Sequence, residues 1–208
     1  MPDPDTADKS LKSQEISLKA LPLFLEKGYA GTSMSAIARV AGITKATLYH
    51  HFASKEDLFV AATVADPEGL MDDLRRLSED RTSDPEARMR AALRICYDMI
   101  VESPAGRLTS VIAETAGRIP AVATGFYTRF IVPFEIALNA IHADGVASGQ
   151  FRPMPQHHVH ALVAGPLLEI SLGRAMWAAT PEIASARAHQ TSPDAYIDML
   201  MGTLLATA

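Results

Sequence analysis

The residues of this chain best suited by type and spacing to do chemistry lie between Met34 and Phe52. Ala38 is small enough for two helices to cross, Gly42 tolerates the positive φ of a tight turn, and Ile37, Ile43 and Leu48 supply apolar anchors on both sides. Those demands, met in that order, describe a helix-turn-helix. On the outer face of its second helix remain Thr44, Lys45, Ala46, Thr47, Tyr49 and His50, mostly short side chains with one long cation. Such a face enters a major groove and reads base edges. Ser33, Ser35 and Lys55 flank it as candidate phosphate donors.

Charge distribution supports a polyanion at one end only. The chain carries a formal net charge of −5. Residues 9–60 nevertheless hold seven cations and four acids, or 7 − 4 = +3, plus His50 and His51. From Ala61 onward there are twelve Arg, no Lys and seventeen acids, giving 12 − 17 = −5. A mildly basic segment precedes an acidic body.

Other reactive groups point to weaker chemistry. His157, His158, His160 and His189 suggest a metal site, but no Cys or Asp cluster accompanies them, and no metal or other cofactor is expected. Cys96 shares its segment with Arg88, Arg90 and Arg94, which would favour a thiolate, yet lone buried cysteines are ordinary. No nucleophile elbow, P-loop or dinucleotide fingerprint is present, so the chain does not read as an enzyme. The bulky residues Met99, Phe126, Tyr127, Phe130, Phe134, Met176 and Trp177 are candidates to line a ligand cavity, with Glu114 or Glu169 as a convergent polar group. That composition suits an apolar or amphipathic small molecule. A competing reading is a helical small-molecule carrier or enzyme with no DNA role, which a gel shift with palindromic DNA from its own promoter would separate.

The elements that must position these groups are helical, since apolar residues recur at helical spacing almost throughout. Residues 1–9 are expected to be a flexible tail. A first helix is predicted over Ser10 to Lys27, capped by Gly28, a second over Met34 to Ala41, a third from Thr44 to about His51, and a fourth from Lys55, capped by Ser54. Helices this short must share one core, around Ile37, Ala38, Ile43, Leu48 and Phe52. Asp66-Pro67-Glu68-Gly69 should break the fourth helix, because Pro67 lacks an N–H and would clash with the carbonyl of Thr63. Longer segments follow at Asp84 to Glu102, Pro104 to Arg118, Ala121 to Ser148, Pro155 to Ala179 and Ser192 to Ala206. The expected fold is all-α: a three-helix head over residues 10–60 and a helical ligand-binding and dimerisation bundle over 61–208.

Of the 208 residues 48% are hydrophobic and 21% charged, which excludes disordered, collagen-like and coiled-coil classes. The most apolar long stretch, Val159 to Gly173, contains His160, Pro166 and Glu169, so no membrane association is expected. The opening MPDPDTADKS lacks the features of a secretory signal, and a single cysteine allows no internal disulfide, so the cytoplasm is the expected location.

The stretch from Lys19 to Phe59, KALPLFLEKGYAGTSMSAIARVAGITKATLYHHFASKEDLF, closely resembles the DNA-binding signature of the TetR family of bacterial transcription regulators. The likeness rests on Phe24, Gly28-Tyr29, Thr32-Ser33, Ile37-Ala38, Ala41-Gly42, Leu48-Tyr49, His51-Phe52, Lys55 and Leu58. By this resemblance, Thr44, Lys45, Ala46 and Thr47 fall on the recognition helix, and Ser33, Tyr49, His50 and Lys55 on phosphate-contacting positions. It also implies a homodimer, a small-molecule effector held in the C-terminal bundle, and a palindromic double-stranded DNA operator. Repression is the family's usual mode. The last two long segments are expected to form the dimer interface as a four-helix unit, because their leucines and isoleucines exceed what one bundle face buries.

Overall fold

The computed structural model describes residues 4–65, 68–187 and 192–206, and these are helical apart from turns and one isolated antiparallel bridge between Phe151 and Leu205. The head comprises α1 (Pro4–Gly31), α2 (Met34–Ala41), α3 (Lys45–His51) and α4 (Lys55–Ala65). Helix α1 begins at Pro4, six residues before the predicted Ser10, so the helical backbone extends into the expected tail. Gly28 leaves helical space with φ 66°, as a residue free of a Cβ can, and breaks the last turn from the rest. Ser33, Thr44 and Ser54 each accept a hydrogen bond from the backbone N–H three residues on, at 3.0–3.1 Å, and so start α2, α3 and α4 where the sequence places them. Gly42 takes the left-handed conformation after α2, and Ile43 donates back to Ala38 at 3.0 Å.

The bundle comprises α5 (Glu68–Glu79), α6 (Pro85–Tyr97), α7 (Thr109–Ala116), α8 (Pro120–Phe126), α9 (Val132–Ala147), α10 (Gln156–Trp177), α11 (Pro181–Arg187) and α12 (Pro193–Leu204). Helix α4 ends at Ala65 and α5 begins at Glu68; Asp66 and Pro67, on which the expected break rests, lie outside the described residues, as does His189.

Two predicted helices are more broken than expected. The segment from Asp84 keeps α geometry only to Tyr97 and then widens into a π turn over Asp98–Glu102. The segment after Pro104 starts as a 3-10 turn, Ala105–Leu108, before α7. The two turns pack closely on each other at Gly106, where a Cβ would lie 2.1 Å from the Ile100 carbonyl oxygen. A second π turn, Tyr127–Ile131, joins α8 to α9. The continuous helical stretch 120–147 is by length and composition apolar enough to cross a bilayer, so it, rather than 159–173, is the most membrane-like segment. Phe134, Leu138 and Ile141 of that stretch are buried in the bundle core.

The buried side chains form two clusters. The larger lies inside the bundle, where Tyr97, Phe134, Phe151 and Leu167 are fully enclosed. The smaller lies inside the head, around Phe24, Ile37, Leu48, Leu58 and Phe59, but it also takes in Leu108 and Val122 from beyond α4. Ile43, predicted to be core, is only half-buried at its edge.

Candidate functional site

Helix α3 has a single buried residue, Leu48, and that contact fixes its roll on the head. Thr44, Lys45, Ala46, Thr47, Tyr49 and His50 consequently all stand exposed on one surface. The Thr44 hydroxyl holds both the Thr47 N–H, at 3.0 Å, and the Thr47 hydroxyl, at 2.8 Å. Lys45 Nζ rests 5.9 Å from the centre of the Tyr49 ring one turn on, an exposed cation–π pair that keeps the ammonium above the outward face. His51 turns the other way, with Nδ1 3.1 Å from the Ser13 hydroxyl of α1, so the end of α3 is tied to the head's longest helix.

The flanking positions differ among themselves. Ser33 and Ser35 are exposed at the start of α2. Lys55 is half-buried, with Nζ 4.2 Å from the centre of the Tyr29 ring, and burial pushes its ammonium below the usual lysine range although Glu56 opposes this. Tyr29 donates to Glu56 at 2.6 Å. Burial and that carboxylate push the phenol well above its ordinary range, and the phenol's hydrogen bond in turn holds the Glu56 carboxyl down.

The sequence-predicted cavity residues do not converge on one place. Met99, Phe126, Phe130 and Phe134 line a cavity of about 250 Å³ within the bundle. Glu169 and Trp177 line a separate depression with Arg174, whose guanidinium reaches Glu102 at 3.0 Å and the Tyr97 hydroxyl at 2.8 Å. Glu114 is exposed on α7, 3.6 Å from Arg118, on the rim of a third hollow beside the head. Tyr127 and Met176 project outward, 53% and 66% exposed, and line no cavity among the described residues. Cys96 is fully buried, which pushes its thiol up rather than toward the thiolate its arginine neighbours suggested. Among the described residues no group of His, Cys, Asp or Glu is arranged to hold a metal ion.

Both π turns border the 250 Å³ cavity: Met99 and Ile100 come from one, Phe130 and Ile131 from the other. Such turns are rare and are frequent at functional sites. Phe126, Phe130 and Phe134 form a ladder of nearly parallel rings along one wall, with centroids 5.1 and 5.7 Å apart and interplanar angles of 16° and 18°. Sequence reasoning missed His160, Thr63 and Thr109, the polar residues of this wall. For His160 the signal was present, a lone imidazole within the apolar run Val159 to Leu167. Thr63 matters for another reason: it belongs to α4, so the cavity touches the helix that begins in the head. The same helix meets the bundle twice more, through an ion pair of Asp57 with Arg129 and through Val60, from which a Cβ on Gly125 would lie only 3.0 Å.

Against the expectation that they are left over for a partner, Leu167, Ile170, Leu200, Met201 and Leu204 are buried within the single chain, and Leu162, Ile197 and Leu205 are half-buried against its core. Leu168 and Leu172 stay about 40% exposed. With Ala161, Gly165, Ala175 and Ala179 they form an exposed stripe on one face of α10 and the residues that follow it, and Ala195, Met199, Gly202 and Ala206 form another along α12.

Residues 18–62 match the family model described as bacterial regulatory proteins, tetR family. The HTH-type transcriptional activator FasR of Mycolicibacterium smegmatis is 32% identical over 92 residues, 44% of this chain and 42% of FasR. The HTH-type transcriptional repressor KstR2 of Rhodococcus jostii is 44% identical over 57 residues, 27% of this chain and 28% of KstR2. The matched region thus spans less than half of either curated relative. Among solved structures, a TetR-family transcriptional regulator from Mesorhizobium loti superposes with a TM-score of 0.72 at 22% identity, covering 95% of this chain and 98% of that one. FadR of Bacillus subtilis, solved in complex with stearoyl-CoA, superposes with a TM-score of 0.68 at 16% identity, covering 90% and 96%. These likenesses establish the fold over nearly the whole chain.

Proposed function

We propose, on the match of residues 18–62 to the family model of bacterial regulatory proteins, tetR family, that the chain is a TetR-family, ligand-responsive transcriptional repressor that binds a palindromic operator as a homodimer. The observation that carries the DNA-binding half is α3, held on the head by buried Leu48 and by the His51 contact with Ser13, with its polar face turned to solvent. Thr44, Lys45, Ala46 and Thr47 meet base edges; Ser33, Ser35, Tyr49, His50 and Lys55 meet phosphates. Two copies of α3 must reach successive major grooves, about 34 Å apart or a multiple of that. The exposed stripes of α10 and α12 supply the pairing surface, since apolar side chains at alternating spacings of three and four make a seam for a second helix pair.

The effector occupies the 250 Å³ cavity, and its walls require an apolar body. That a structure of the same fold, FadR of Bacillus subtilis, holds stearoyl-CoA supports an apolar effector class. Coupling runs through α4: a ligand against Thr63 acts on the helix whose other contacts are Asp57 with Arg129 and Val60 with Gly125. A ligand that fits best at another spacing of the heads weakens operator binding, and linkage requires the operator to weaken ligand binding by the same factor. The division 10–60 and 61–208 is then one of role, reading head and sensing body.

Fluorescence anisotropy with DNA from upstream of the protein's own gene, against random duplex, tests the reading. Selective binding, with light scattering that reports a dimer at micromolar concentration, is the expected result. Equal affinity for both duplexes, or a monomer, refutes it.

A further inference from the structure

The polar atoms of the bundle cavity are unusual in being all of one kind. Thr63 already donates its hydroxyl hydrogen to the Val60 carbonyl at 2.7 Å, and Thr109 donates its own to the Gly106 carbonyl at 2.6 Å. Each therefore offers a ligand only lone pairs. His160 Nδ1 lies 3.3 Å from Glu135 Oε1. A carboxylate oxygen accepts and does not donate, so it is a ring N–H that faces Glu135, and with that hydrogen on Nδ1 the uncharged form of the ring offers Nε2 as a further acceptor. The ring is held on edge against Phe134, at 85° and 5.7 Å, which fixes its direction. No Lys or Arg is among the residues lining the cavity.

Shape adds a second constraint. Phe126, Phe130 and Phe134 make one wall of the cavity aromatic, and a further ring gains by offset-stacked or edge-to-face contact with such rings. A cavity of about 250 Å³ lies just below the range of roughly 300–1,000 Å³ typical of drug-sized ligands, so the enclosed part of the ligand is small.

Resting on the reading of this cavity as the effector site, we propose that the effector is a neutral, ring-bearing apolar compound whose one polar group is a hydroxyl that donates to His160 or to the threonine oxygens, as in an alkylphenol or an alicyclic alcohol. An anionic carboxylate meets no donor here and faces Glu135 behind the imidazole. A thioester carbonyl, itself only an acceptor, finds no partner either.

Isothermal titration calorimetry of the full-length protein with a matched set decides the matter: 4-propylphenol, its methyl ether 4-propylanisole, 4-propylbenzoate, and octanoyl-CoA. The phenol is expected to bind about tenfold more tightly than the ether, the worth of one hydrogen bond in an apolar site. The benzoate and the thioester are expected to bind more weakly than the ether. His160→Leu should cut the affinity for the phenol while leaving that for the ether unchanged. Equal binding of phenol and ether overturns the inference and leaves the cavity an effector site. Tightest binding of the benzoate overturns it too, since the imidazole then serves as a cation, and tightest binding of octanoyl-CoA does the same. If none of the four binds, the cavity reading falls together with the inference.

Discussion

The outer face of α3 and the cavity behind α4, the two proposed recognition sites, are built in opposite ways. The first is a row of six side chains between Thr44 and His50, left exposed because Leu48 and the His51 contact with Ser13 hold their helix. The second gathers residues from α4 through α10, a span of about a hundred positions, around a space that no short segment defines. A surface built from one helix can be changed one residue at a time, with its scaffold untouched. A cavity built from many elements cannot, because its walls are also the core. The difference predicts that substitutions in the head trade affinity at constant stability, whereas substitutions in the bundle trade both together.

The sharpest break of that contrast is Phe134→Ala. Phe134 is fully buried in the bundle core and also lines the cavity, so the variant should lose about 3–5 kcal/mol of unfolding free energy in urea titrations. Its preference for operator over random DNA should survive at temperatures where it is folded. Loss of that preference in the folded variant would mean the two regions are not separable. Next in size is Lys45→Ala, expected to weaken operator binding by about 1–3 kcal/mol if the ammonium reads a guanine edge, with random DNA little affected. Equal losses on both duplexes would move Lys45 to the phosphate-contacting set.

Lys55→Ala should weaken all sequences alike and flatten the salt dependence by about one unit of slope. Because Lys55 also packs on Tyr29, its melting temperature must be recorded beside its affinity. A stability loss with an unchanged salt slope would make it a structural residue only. The smallest expected effect is pH-dependent. Burial holds the His142 imidazole below its ordinary value near 6.5, and the ring reaches the Arg152 carbonyl at 3.0 Å through Nε2. The unfolded chain therefore takes up a proton at this position before the folded one does. Stability contributed there is present above about pH 6.5 and falls as pH drops toward the depressed folded value. Chemical denaturation at pH 7.5 and 5.5 should show the fall in the parent and a smaller one in His142→Gln, and an identical pH response in both would remove His142 from the account.

How much of this could be read from the sequence follows from the same contrast. Ser33, Gly42, Thr44 and Ser54 act within five residues of themselves, so the turns and starts of the head are written locally and match the expected positions. The cavity depends on two π turns and one 3-10 turn, and no local residue announces those. Tyr127 illustrates the consequence. In an uninterrupted α-helix it would share a stripe with Phe130 and Phe134, three and seven positions on. Phe126, four positions before Phe130 and eight before Phe134, shares that stripe as well, and in the structure it is Phe126 that joins the two rings while Tyr127, the first residue of the π turn, is exposed. Glu114 follows Ile112 and Ala113, which line the cavity, but falls on the other face of α7 beside Arg118. Met176 lies two turns beyond Leu168 on the exposed side of α10, which an apolar count alone does not distinguish from the buried side.

Leu108 and Val122 belong to the core of the head although they lie some fifty residues beyond α4. Anyone grafting this head onto another sensing body would leave a hole where those two side chains were, and would place two apolar residues in water on the donor's remainder. The transplantable unit is therefore discontinuous: it needs the segment from Leu108 to Val122 as well as the first four helices. The same arrangement implies that relatives exchanging sensing bodies by recombination must keep that segment compatible with the incoming head, a requirement no single cut after α4 can satisfy.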